Sequence, residues 1–106
     1  MGMNLKGTLP LLVLQTLAQE ALHGYAIAQR IKARSEGVLD FKEGTLYPTL
    51  HALEEGGSIE ANSVVVDGRI RHIYRLTEKG NKVLEAQTLE WGRIAGAVNS
   101  VLAGAK

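Results

Sequence analysis

Apolar residues recur at helical spacing in the first half of the chain and predict three short helices. The first is expected from about Thr8 to Ala18, the second from Tyr25 to Arg34 and the third from Gly44 to Glu55. Within each segment, apolar residues three or four positions apart form one stripe, as in a helix that buries one face. The short connections between the segments predict that the three helices pack into one tri-helical core.

The pattern changes to alternation after residue 58 and predicts a β-hairpin. A β-branched run from Ile59 to Val66 is followed by Asp67-Gly68, a favoured two-residue turn, and by a returning strand from Arg69 to Leu76. Alternate residues of a strand share a face. The returning strand therefore has two different faces. The mostly apolar face consists of Ile70, His72, Tyr74 and Leu76, and the cationic face consists of Arg69, Arg71, Ile73 and Arg75.

A long fourth helix is predicted from Thr77 to about Ala103, with Thr77 as its N-cap. At 1.5 Å per residue, about 26 residues would extend nearly 40 Å, which is longer than a tri-helical core is wide. Apolar residues follow one seam at steps of seven, three, four and three, namely Leu84, Trp91, Ile94, Val98 and Val101. Because such a seam needs a partner and its own copy is the simplest one, we expect these residues to form a homodimer interface.

This order of elements predicts a mainly α (α+β) fold, a winged helix-turn-helix with a two-stranded β-hairpin wing. We assign residues 1–76 to a DNA-binding domain and residues 77–106 to a C-terminal dimerisation helix. In such a fold the third helix fits the roughly 12 Å major groove and the hairpin lies along the DNA backbone. Polar residues on or just before the third helix, together with two wing arginines, are then expected to contact DNA: Lys42, Thr45, Tyr47, Thr49, His51, Arg69 and Arg71.

Charge supports this expectation through its distribution. The 106 residues have a formal net charge of only +1 at pH 7. Residues 62–82, however, hold five lysines and arginines against two acidic residues, a local charge of +3. A basic charge confined to one short segment lets a nearly neutral protein present an edge to phosphates.

Composition also bears on the compartment. The chain has no cysteine, which excludes disulfides and thiolate zinc sites and favours the reducing cytoplasm. The apolar run from Leu9 to Leu17 is interrupted by Pro10 and has no small-residue cleavage site after it, which disfavours a signal peptide. No segment approaches the roughly 20 apolar residues that would cross a bilayer.

Three segments resemble the signatures of the PadR family of transcriptional regulators. They are Leu-His-Gly-Tyr at 22–25, Gly-Thr-Leu-Tyr-Pro at 44–48 and Tyr-Arg-Leu-Thr-Glu-Lys-Gly at 74–80. The resemblance covers nearly the whole chain and is to the short subfamily with a single C-terminal helix. It implies a homodimeric regulator, usually a repressor, that binds an inverted-repeat operator and is released by a small molecule or another stress signal.

The chain departs from the family pattern at two places. Ala52 stands where a basic residue is common, which would shift DNA contact from the helix to the wing. Gly57-Ser58 replaces the usual glycine plus aliphatic residue at the join between the third helix and the hairpin.

Individual residues have competing interpretations. Trp91 either fills the dimer seam or, with its copy, flanks a cleft for a small aromatic effector. Tyr25 and Tyr74 are expected to be core anchors, and His23 to form a hydrogen bond at a helix start. Arg75 either contacts phosphate or pairs with an acid such as Glu60. The three histidines lack the spacing of a metal site, and we expect no metal and no cofactor.

Two other functions remain open from the sequence. One is a ligand- or metal-sensing winged-helix module whose DNA binding is secondary or lost, and the other is a module for protein–protein assembly. An enzyme is the least favoured class, because the acids and histidines form no catalytic grouping and no glycine-rich phosphate loop follows a strand.

Overall fold

The computed structural model describes residues 6–104 of the chain, which fold into four α-helices and three strands. The helices are α1 (Leu9–Gln19), α2 (Gly24–Arg34), α3 (Glu43–Glu55) and α4 (Glu78–Leu102), and a short 3-10 turn (Lys6–Thr8) precedes α1. The strands are β1 (Leu22–His23), β2 (Ile59–Val66) and β3 (Arg69–Leu76). Each predicted helix and strand is confirmed within one residue at either end, and the order is that of a winged helix-turn-helix.

The core lies where the apolar stripes of α1, α2 and α3 meet. The base of the hairpin and the second turn of α4 close it. Its buried apolar side chains are Leu9, Val13, Leu14, Leu17, Ile27, Ile31, Leu46, Leu50, Ile59, Tyr74 and Leu84. Since each fully buried side chain of this kind contributes about 1.5–3 kcal/mol relative to exposure, this cluster is the main source of folding free energy. No helix within residues 6–104 combines the length and hydropathy needed to cross a bilayer.

A third strand, which was not predicted from the sequence, joins the hairpin. The sheet is antiparallel in the order β1-β3-β2. Leu22 of β1 lies opposite Tyr74, and His23 lies opposite Ile73. The two residues of β1 are too few to show an alternating pattern, which is why this strand could not be predicted. Their pairing ties the beginning of α2 to the wing.

The hairpin turn has the predicted geometry. Asp67 and Gly68 have φ values of 51° and 76°, and positive φ at both central residues is what a type I′ turn requires. The expected apolar inner face is buried only at the base, where Tyr74 lies. Farther out, the cross-strand pair Val65 and Ile70 is 73% and 72% exposed, because the hairpin extends beyond the helices that could cover it.

The start of α4 is fixed to the join between α3 and β2. Thr77 is the N-cap as predicted, and its Oγ1 accepts a hydrogen bond from the Gly80 N–H at 3.0 Å. The same hydroxyl donates to the Gly57 carbonyl at 2.6 Å, and the Thr77 N–H donates to the Ser58 carbonyl at 3.1 Å. Ser58 is buried here. The departure at Gly57-Ser58 is therefore compatible with a tight join.

Gly80→Ala tests this join. A Cβ at Gly80 would overlap the Ser58 carbonyl oxygen and lie 2.7 Å from Leu76 Cδ1. Overpacking of a rigid backbone contact costs about 1–3 kcal/mol or more, so we expect at least that loss in the free energy of unfolding, measured by urea denaturation. Gly96→Ala is the matched control on the same helix, since a Cβ there meets nothing within 4 Å. The control should be neutral or stabilising by up to about 1 kcal/mol, and equal effects of the two substitutions would contradict the tight join.

Candidate nucleic-acid interface

The outward side of α3 carries part of the predicted DNA-binding set. Leu46 and Leu50 point into the core, which leaves His51 fully outward and Thr45 and Thr49 half-buried at the edges of the exposed face. Thr49 Oγ1 donates to the Thr45 carbonyl at 3.1 Å. This hydrogen bond holds the Thr49 hydroxyl against the backbone of its own helix.

Two further residues of α3 shape its outward side. Pro48 lies inside α3 and is exposed, so its ring is part of this face. A proline there also removes the helix hydrogen bond that would go to the Gly44 carbonyl. Ala52 is exposed beside them, which leaves the middle of the face without a cation.

Tyr47 is half-buried because its ring lies over Gly24. A Cβ at Gly24 would lie 2.8 Å from Tyr47 Oη and 2.9 Å from Cε1, so the glycine makes room for the ring. Tyr74 lies nearby in the core. Burial raises the pKa of the Tyr74 hydroxyl, and the Glu54 carboxylate and Tyr47 raise that pKa further. Tyr47 therefore offers DNA only the part of its ring and hydroxyl that is not packed on α2.

Lys42 lies just before α3 and is paired with a carboxylate. Its Nζ is 3.3 Å from Asp40 Oδ2, and Lys32 Nζ is 3.5 Å from the same oxygen. The hydrogen bond from Lys42 is the largest cause that holds the pKa of Asp40 below its ordinary value; desolvation opposes it, and the charges of Lys32 and Lys42 add to the lowering. A phosphate that approached Lys42 would compete with Asp40 for its ammonium group.

The wing arginines are differently placed. Arg69 and Arg71 lie opposite Val66 and Val64 on the outer face of the hairpin and are exposed. Arg75, nearer the body, has its Nε 4.0 Å from Glu60 Oε1, which confirms the ion pair considered from the sequence. Within residues 6–104, no ion pair involves Arg69 or Arg71. The end of the wing therefore has two arginines without an ion-pair partner, against the single carboxylate of Asp67 in the turn.

Tyr25 corrects one sequence interpretation. Tyr74 is buried as predicted, but Tyr25 is 50% exposed and is not a core anchor. Ile27 and Ile31 define the buried stripe of α2, and a residue two positions before Ile27 lies about 200° around the helix. The helical periodicity itself therefore carried the signal that Tyr25 faces outward.

The histidines lie in three separate environments. His23 Nδ1 accepts a hydrogen bond from the Ala26 N–H at 3.4 Å, which confirms its role at the start of α2. His72 Nδ1 lies 3.4 Å from Ser63 Oγ across the hairpin, and His51 is on α3. In the part of the chain that the structure describes, no three histidines or acids group as metal ligands; the absence of a metal stays a prediction.

The predicted dimer seam on α4 divides into two parts. Leu84 is 6% exposed in the core of its own chain, so its side chain is already buried without a partner. The other four seam residues are exposed, with Trp91 at 48%; they are Trp91, Ile94, Val98 and Val101. This stretch of α4 extends past the core and has an apolar face open to solvent.

Two cavities lie near the predicted interface. The larger, about 770 Å³, lies between α2, the loop after it and the start of α3, and its lining includes Tyr25, Phe41 and Leu46. The smaller, about 230 Å³, lies between the wing and the beginnings of α2 and α3. Neither of these two cavities includes Trp91, so an effector cleft at that residue would need a second copy of α4.

Comparison with known proteins decides the class. The model of the transcriptional regulator PadR-like family matches residues 13–86. The chain belongs to the PadR-like family. It is accordingly a transcriptional regulator and not an enzyme, and the family expected from the sequence motifs is confirmed.

Relatives of this PadR-like protein match it over most of its length. The transcriptional regulator Rv3488 of Mycobacterium tuberculosis (strain ATCC 25618 / H37Rv) is 39% identical over 72 residues, which cover 68% of this chain and 64% of that protein. A PadR family regulator from Clostridium difficile R20291 has a TM-score of 0.78 at 32% identity, with 91% of this chain and 99% of that chain covered. Bacillus subtilis PadR, solved in complex with operator DNA, has a TM-score of 0.71 at 24% identity, with 76% and 46% covered. This last likeness is one of fold alone.

Proposed function

We propose that this PadR-like protein is a homodimeric, sequence-specific DNA-binding repressor of an inverted-repeat operator. The arginines without an ion-pair partner at the end of the wing are the observation that carries the proposal, because phosphate neutralisation by Lys and Arg supplies much of the affinity for DNA. Binding to chromosomal DNA would place its action in the cytoplasm. The structure of Bacillus subtilis PadR with operator DNA supports the proposal through a shared fold.

The recognition helix of this proposal is α3. Its outward face offers His51, Thr45 and Thr49 together with the exposed edge of Tyr47, and short or planar polar groups of this kind reach base edges and phosphates. Lys42 would contribute by exchanging Asp40 for a phosphate. With no cation at Ala52, the wing arginines Arg69 and Arg71 carry more of the backbone contact.

The dimer of this proposal forms through α4. At 1.5 Å per residue, the helix from Glu78 to Leu102 extends well past the core, and an isolated projecting helix gains little stability without packing. Two copies that bury Trp91, Ile94, Val98 and Val101 against each other would remove this apolar face from water. A two-fold dimer would then present two copies of α3 at a spacing of about one helical turn of DNA, roughly 34 Å, or a multiple of it.

A small aromatic effector is the proposed signal. The indole of Trp91 and its copy would flank an apolar cleft at the dimer seam, where a planar molecule could stack. Trp91 is half-exposed in one chain, and stacking of an effector requires that the dimer seam leave part of this ring surface uncovered.

Salt dependence of DNA binding tests the proposed function. The duplex would be selected from a random-sequence library, and Kd measured by mobility shift over a range of salt concentrations. Because each neutralised phosphate adds about 0.9 to the log–log slope, Arg69→Ala/Arg71→Ala should reduce the slope of a dimer by about three to four and weaken binding. Arg75→Ala is the matched control on the same strand, since Arg75 is paired with Glu60 and should change the slope by less. A folded wild-type protein that selects no duplex at low salt would refute DNA binding and favour the sensing module.

Introduction of negative charges into the seam tests the dimer. Ile94→Glu/Val98→Glu should convert the protein from a dimer to a monomer of 11.4 kDa in analytical ultracentrifugation, because buried unpaired carboxylates are strongly unfavourable. Both residues are exposed in one chain, so helix content by circular dichroism should remain. Leu89→Glu is the control, since Leu89 is also exposed but lies about 200° from Trp91 around the helix. A wild-type monomer, or an unchanged double variant, would show the seam to be wrong.

Emission from Trp91, the one tryptophan of the chain, tests the effector cleft. Titration with a panel of aromatic carboxylates and planar aromatic cations should give a saturable change in fluorescence for at least one of them, because stacking replaces water at the indole. The Ile94→Glu/Val98→Glu monomer should lose this response. If no compound alters the emission of the dimer at high concentration, Trp91 only packs the seam.

A further inference from the structure

The smaller cavity is a cleft formed where β1 holds the beginning of α2 beside the wing. Residues 23–25 line one side, residues 70–72 line the other, and Tyr47 and Tyr74 complete it. Its volume of about 230 Å³ is several times the roughly 30 Å³ that a water molecule occupies in the liquid. The cleft can therefore admit a group larger than water.

The lining of the cleft contains hydrogen-bond donors and no carboxylate. Arg71 and Tyr25 are among the residues that line it, and no hydrogen bond or ion pair within residues 6–104 occupies the Arg71 guanidinium or the Tyr25 hydroxyl. The first turn of α2 also contains no acid, so no side chain there offsets the positive end of its dipole. These features together suit an anion.

His72 adds a third donor. Its Nδ1 lies within reach of Ser63 Oγ at 3.4 Å. In the tautomer in which the Ser63 hydroxyl donates to Nδ1, the proton is on Nε2, which can donate to a ligand. The larger cavity contrasts with this arrangement, because three acids (Glu36, Asp40 and Glu43) line it beside its two lysines. Of the two cavities, the smaller one is suited to a negatively charged group.

The position of the cleft indicates which kind of anion it would bind. In the proposed complex α3 enters the major groove and the hairpin lies along the backbone beside it, so a sugar-phosphate strand passes between α3 and the wing. The cleft opens in that gap. We propose that it seats one backbone phosphate of bound DNA, held by the Arg71 guanidinium, the Tyr25 hydroxyl and the His72 ring. This inference rests on the proposed DNA binding and assigns phosphate contact to two residues, Tyr25 and His72, outside the recognition helix.

Neutralising single phosphates tests the cleft. In the duplex selected by the wild-type protein, each backbone phosphate in turn would be replaced by an uncharged methylphosphonate, and Kd measured for wild type, Tyr25→Phe and His72→Ala. One position in each half-site should weaken wild-type binding about tenfold, as loss of a charge-assisted hydrogen bond predicts. The same replacement should weaken both variants much less, because they have already lost a contact to that phosphate. Tyr25→Phe removes only the hydroxyl.

Arg75→Ala is the control for this experiment, because Arg75 lies outside the cleft lining and should keep the full sensitivity of wild type at the critical phosphate. Variants that respond like wild type at every position would overturn the cleft assignment while leaving DNA binding intact. Failure of the wild-type protein to bind any duplex would instead overturn both the proposed function and this inference.

Discussion

The contact between Thr77 and the Gly57-Ser58 segment is the constraint on which the arrangement of the molecule depends. One threonine caps α4, accepts from Gly80 and donates to Gly57, while its N–H binds the Ser58 carbonyl. The end of α3, the base of the wing and the start of α4 thus meet at a single point. Gly80 is required there because any side chain would collide with the Ser58 backbone. The direction of α4 relative to α3 is consequently fixed by the hydrogen bonds of Thr77 and by the close approach of Gly80 to the Ser58 backbone.

This junction gives a physical route from the dimer seam to DNA. In the proposed dimer, a change in the crossing angle of the two α4 helices would move each winged domain together with its own α4 as one rigid unit, because α3, the wing and α4 are joined at Thr77. Such a rotation would change the separation of the two recognition helices, which must match the helical repeat of the operator. An effector at Trp91 would then act on DNA binding through rigid-body motion and without contact to the DNA-binding residues.

Most of the fold followed from the sequence because its signals are local. Helical stripes in α1 to α3, the Asp67-Gly68 turn and the Thr77 cap each lie within a few residues, so the bounds of every helix and of the hairpin were predictable. The features that were missed depend on tertiary contacts. β1 is too short to have a period, and Leu84 lies on the same heptad seam as Trp91 yet is buried by its own core. The sequence cannot say where along a continuous seam the core ends and the projecting part of α4 begins.

The candidate site shows the same division. Arg69 and Arg71 could be named from strand alternation and local charge. That they lack an ion-pair partner while Lys42 has one could not be predicted, because Lys42 shares Asp40 with Lys32 only in the folded loop before α3. Tyr25 and His72 are distant in sequence and meet at one cleft because β1 pairs with β3. A protein of almost zero net charge cannot rely on a general electrostatic field to hold DNA. It needs cations and hydrogen-bond donors at defined positions. This chain has them in the carboxylate-free cleft and at the unpaired wing arginines.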